Sequence, residues 1–104
     1  MAVRALNDAV EASEGDVPAA LTAELALAEF ASGSRPRAEQ RLRDLVTSEP
    51  DYATSHYLLG NMLAARQAWA DAAAEYQAFL SAAPAAPEAS DARGRLRYVQ
   101  QQAH

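Results

Sequence analysis

Apolar residues recur along this chain at the three- and four-residue spacing of a helix, in short runs broken by Gly, Pro and Ser. Val3, Leu6 and Val10 share one stripe and predict a first helix over about Ala2 to Ser13. The stretch Glu14-Gly15-Asp16-Val17-Pro18 ends it. A second helix is expected from Pro18 to Ala31, with Pro18 near the first turn, where a missing N–H costs nothing. Ser32-Gly33-Ser34 breaks it, and a third helix follows from Arg35 to Thr47, with Ala38, Leu42, Leu45 and Val46 inward. Pro50-Asp51 turns the chain into a fourth helix, Asp51 to Ala65, which carries Leu59, Met62 and Leu63. After a turn at Arg66 to Ala68, Trp69, Ala72, Ala73, Tyr76, Phe79 and Leu80 mark a fifth helix over Trp69 to Ala82. The last helix, Glu88 to Gln101, has Ala89, Ala92, Leu96 and Val99 on its stripe and Arg93, Arg97 and Gln100 outside. Short connections make neighbouring helices antiparallel, so the expected fold class is all-α, built of helical hairpins.

The pattern repeats. Pro50 and Pro84 each follow a helical stretch, and the offset between them recurs elsewhere. At that offset Leu25-Ala26 maps onto Leu59-Gly60, Ala38 onto Ala72, Leu42 onto Tyr76 and Leu45 onto Phe79. Gly60 maps onto Gly94 in the same way. A helix pair at a fixed period is the mark of stacked hairpins, not of a closed bundle.

The segment Ala53 to Ala86 resembles a tetratricopeptide repeat on Leu59-Gly60, Leu63, Trp69, Ala72, Tyr76 and Pro84. The small Gly60 and Ala72 suit the place where the two helices of a hairpin meet. His56 stands where the family has a bulky aromatic, and Phe79 where it usually has Ala. Ala19 to Tyr52 is similar on Leu25, Ala26, Gly33, Ala38, Leu42 and Pro50, with Glu29 in an apolar place. The resemblance implies one domain over 1–104: an N-terminal helix in 1–15, repeats at 19–52 and 53–86, and a capping helix in 87–104. The family architecture is an α-solenoid; here the N-terminal helix is expected to cover the first hairpin and the C-terminal helix the second. A fragment of a longer array, or pairing with a second copy, is the other reading of the two ends.

Composition narrows the function. Of the 104 residues 27 are Ala, which favours helix but contributes little burial. There is no Cys, which rules out disulfides and thiolate metal sites. The net charge is −5, and all nine cations are Arg. An acidic chain is a poor nonspecific nucleic-acid binder. No apolar run reaches the roughly 20 residues of a membrane span, and Arg4, Asn7 and Asp8 interrupt any signal-peptide core. Compartment is not legible here, with the cytoplasm slightly favoured.

No catalytic constellation is visible. His56 and His104 are the two histidines, and no metal or cofactor is expected. Ser32-Gly33-Ser34 is too short for a phosphate loop. Asp71 and Glu75, one turn apart, are expected to form a solvated face. Arg35, Arg37, Arg41 and Arg43 are expected on the surface, with Glu39 pairing to Arg43 at i, i+4.

The resemblance points to a binding groove instead. It implies an exposed concave side formed by Ala20, Ala23, Leu27 and Phe30, then Thr54, Tyr57, Asn61, Ala64 and Ala65, then Asp91, Arg95 and Tyr98. Leu27, Phe30, Tyr57, Asn61, Asp91, Arg95 and Tyr98 are the candidate peptide-binding residues. Some members clamp a carboxylate with basic residues and Asn. Asn61 and Arg95 match such places, while Ala23 and Leu27 replace the bases expected on the first hairpin. The expected partner is a protein or peptide, with a homodimer or an accessory role in a larger protein as the alternative.

Overall fold

A computed structural model describes residues 18–103. The expected helix over Ala2 to Ser13 lies outside them. The described residues form five α-helices and no strand: α1 Ala19–Ala31, α2 Arg35–Ser48, α3 Thr54–Ala65, α4 Trp69–Ala82 and α5 Ala89–Gln102. The fold class is all-α. The chain divides into two compact units, Met1–Glu49 and Pro50–His104.

In the first unit α1 packs on α2. Leu25, Ala26, Ala38 and Leu42 are fully buried between them, as their spacing predicts, and Leu45 nearly so. Glu29 is buried with them, at 1% exposure. Its carboxylate accepts two hydrogen bonds from Arg41 of α2, at 2.7 and 3.1 Å. A fork-to-fork bond of this kind satisfies both ions, which makes a carboxylate tolerable in an apolar place. Arg41 is therefore not a free surface cation. Glu39 and Arg43 do pair at i, i+4, with 3.5 Å between them.

In the second unit α3 packs on α4 and α4 on α5. Leu59, Met62, Leu63, Ala72, Tyr76 and Phe79 make the core, and Ala92 and Val99 dock α5 against it. Gly60 has a clear steric reason. A Cβ there would lie 2.8 Å from Cε1 and 2.9 Å from Cδ1 of Tyr76. The two helices approach so closely that the Tyr76 ring rests on bare backbone.

The turns that close α1 and α3 are alike, one repeat interval apart. After α1 the N–H of Ser34 donates to Glu29 O (2.8 Å) and that of Gly33 to Phe30 O (3.2 Å). After α3 Ala68 donates to Leu63 O (2.9 Å) and Gln67 to Ala64 O (3.0 Å). Both are Schellman closures, with a left-handed residue at the turn. Gly33 has φ 99° and Gln67 has φ 64°. The entries to α1, α3 and α5 also match, with Leu21 N–H on Pro18 O, Ser55 N–H on Tyr52 O and Ala89 N–H on Ala86 O. In α3 this entry sets the start at Thr54, three residues later than expected from Asp51. The Ser55 hydroxyl adds a second bond to Tyr52 O at 2.7 Å, so the stretch before Thr54 is held as a turn.

Candidate functional site

The site is built in the second unit, where α3 and α5 flank α4. Tyr57 and Asn61 sit one turn apart on α3, and Asp91 and Arg95 one turn apart on α5. Each α5 residue follows its α3 partner by one repeat interval, so the two pairs come opposite each other. The Tyr57 hydroxyl donates to Asp91 Oδ2. Arg95 Nε donates to the same oxygen at 2.5 Å, and Arg95 Nη1 donates to Asn61 Oδ1 at 3.3 Å. From below, the Tyr76 hydroxyl donates to Asn61 Oδ1 at 2.6 Å. Arginine has only donors, so the oxygen of Asn61 must be the atom facing it.

The ring of bonds fixes the charges. The Tyr57 hydrogen bond, then that of Arg95, holds the Asp91 carboxyl below its usual 3.8. The bond to Asp91 in turn raises Arg95. Burial raises the Tyr57 phenol above 10.0, and the bond to Asp91 adds to this. Burial likewise raises Tyr76. The site thus carries one anion and one cation that satisfy each other, and two neutral phenols.

Beside this ring opens a groove of about 710 Å³. Ala64, Ala65 and Gly94 give it a low floor, and Trp69 and Tyr98 form an aromatic wall. The two rings meet edge to face, with centroids 5.9 Å apart and planes at 82°. Tyr98 is 54% exposed. Asn61, Tyr76, Asp91 and Arg95 form the polar end.

Of the seven candidate residues, Asn61, Asp91, Arg95 and Tyr98 line this groove. Tyr57 does not; its ring turns onto Phe79 and Tyr76, with centroids 5.3 and 6.2 Å away. Leu27 and Phe30 belong to the first unit. Leu27 is exposed there, and Phe30 is half-buried with the Arg35 guanidinium 4.5 Å above its ring. Ala23, expected on the exposed concave side, is buried at 3%. Arg95 does not present a free cation to a carboxylate, since Asp91 already holds it.

Trp69 and Gly94 were not among the candidates. Trp69 reads as core from its stripe, and Gly94 reads only as the echo of Gly60. His56 is not alone: its Nδ1 lies 2.8 Å from Glu75 Oε1 across α3 and α4. Glu75 is accordingly half-buried and not a freely solvated acid. The signal was available, since His56 falls on the α4 side of α3, but pairing between separate helices has no periodicity of its own. Among the described residues no group of three or more His, Asp or Glu gathers as a metal site, and no helix is long and apolar enough to cross a membrane. No model of a known protein family matches the chain, and no curated protein does.

Proposed function

We propose that this chain is a tetratricopeptide-like module that binds a peptide segment of another protein in the α3–α5 groove and catalyses no reaction. The observation that carries this reading is the groove itself. It has small residues on its floor, an aromatic wall of half-buried Trp69 and exposed Tyr98, and a self-satisfied polar rim. Such a surface offers contact area and orientation but no acid, base or nucleophile poised for transfer. Tyr, Trp and Arg are the residues that anchor interfaces most often. The tetratricopeptide likeness is supported by the turns and entries matched at the repeat interval and by the Gly60–Tyr76 approach.

The test is selection of a displayed peptide library on the immobilised chain, followed by affinity measurement with variants. Tyr98→Ala combined with Arg95→Ala is expected to weaken the selected peptides by about 10-fold or more, as removal of central anchors does, with the helical circular-dichroism signal kept. A library that yields no binder, or binders indifferent to this double variant, would overturn the reading.

A further inference from the structure

We infer, building on the peptide-binding reading above, that Gly94 is the seat for one neutral aromatic side chain of the bound peptide, held between its bare backbone and the Trp69–Tyr98 wall. The chain contains its own template for such a contact. At Gly60 an aromatic ring, that of Tyr76, lies against a helix where no Cβ intervenes. Gly94 stands one repeat interval further on, at the same register of α5, and a Cβ there would meet nothing within 4 Å. One glycine is roofed by a ring; the other is open and lines the groove.

The chemistry around the seat selects the occupant. Trp69 and Tyr98 already meet edge to face, and a third ring can join such a pair in the same geometry, which an aliphatic chain cannot. The charged groups at the polar end discriminate further. Asp91 Oδ2 is taken by Tyr57 and Arg95, so a lysine or arginine side chain entering the groove meets a carboxylate whose charge Arg95 already offsets. Arg95 bonds Asp91 through Nε and Asn61 through Nη1, so an acidic side chain meets a guanidinium whose charge Asp91 already offsets. A charged group would give up part of its water to two ions that already compensate each other. A neutral ring loses nothing of this kind.

The experiment uses the whole chain and capped host peptides Ala-Ala-Xaa-Ala-Ala with Xaa as Trp, Leu, Lys or Glu, followed by amide NMR titration. The Trp peptide is expected to shift the resonances of Gly94, Ala65 and the Trp69 indole. The Leu peptide is expected to bind roughly 2- to 10-fold more weakly, the range set by edge-to-face ring contacts, and the Lys and Glu peptides more weakly still. Gly94→Leu fills the seat and should weaken the Trp peptide by about 10-fold or more, as blocking an anchor pocket does. Leucine is a better helix former than glycine, so the variant is expected to fold, and unchanged amide shifts in the first unit check this. Equal response to Trp and Lys peptides, no shift at Gly94, or a Gly94→Leu variant that binds as wild type would each overturn the inference. If library-selected peptides bind without an aromatic residue and leave Gly94 unmoved, the seat is wrong while the groove stands. If no peptide of any kind is retained, both are wrong.

Discussion

Gly60 and Gly94 share a register, yet one lies under an aromatic ring and the other faces open space. Alanine should therefore act in opposite directions. Gly94→Ala is expected to stabilise by about 0.5–1 kcal/mol, the usual gain from removing a helix-interior glycine. Gly60→Ala gains the same propensity but drives a methyl into Tyr76; overpacking of about 1–3 kcal/mol outweighs it, so the net change is destabilising. Urea denaturation of the two variants checks the signs. Glu29 poses the converse problem, a carboxylate in the core. Arg41→Met leaves it only Arg37, whose Nε is 4.0 Å away, and a loss of about 3 kcal/mol is expected, near the low end for breaking a buried pair. Replacing both, Glu29→Leu with Arg41→Leu, should recover most of that loss, since apolar residues can substitute for a buried ion pair. Neither fate was legible in the sequence. Spacing marks Gly60 and Gly94 as equivalent, and only the presence of α4 over one of them separates the two. Glu29 stands out as an acid on an apolar stripe, but its partner lies on another helix.

At the scale of the helices the sequence was far more transparent. Helix period, Gly and Pro punctuation and the recurring offset locate α1 to α5, with the start of α3 the main displacement. The turns explain why: residues that share a hydrogen-bond pattern also share a register. Gln67 tests this. It holds the left-handed place that Gly33 holds one interval earlier, and a side chain is strained there. Gln67→Gly is expected to stabilise by about 0.5–1 kcal/mol, the converse of the usual glycine cost, read by thermal unfolding. The Tyr57–Asp91 bond between α3 and α5 gives a pH signature. Asp91 is held below 3.8, so its contribution to stability is full above the ordinary carboxylate range and is lost as pH falls through the lowered value. Tyr57 is raised above 10.0; its contribution is full below that value and is lost as pH rises through the raised one. Carbon-detected NMR should place the Asp91 midpoint below 3.8. Ultraviolet titration should lose a late-ionising phenol in Tyr57→Phe.

For the molecule as a whole the question is which surface meets a partner. Four of the groove's residues, Asn61, Asp91, Arg95 and Tyr98, were reached through the resemblance to the tetratricopeptide pattern and its concave side. Trp69 and Gly94 were not, since a core-like stripe and a bare glycine look the same whether covered or open. Leu27 remains exposed at 44% in the first unit, the feature on which self-association would rest. A peptide-binding monomer is expected to give the mass of a single chain by light scattering, unaltered in Leu27→Asp; a doubled mass that Leu27→Asp halves would favour the dimer instead. The tie of Tyr57 and Asn61 to Asp91 and Arg95 has a kinetic corollary. α5 carries three arginines, Arg93, Arg95 and Arg97, each a trypsin cleavage point shielded only while the helix stays wound and docked. Asp91→Asn would loosen the latch, and trypsin, which samples whatever fraction of chains has α5 peeled away, would trim the C-terminus of that variant sooner than it trims the parent.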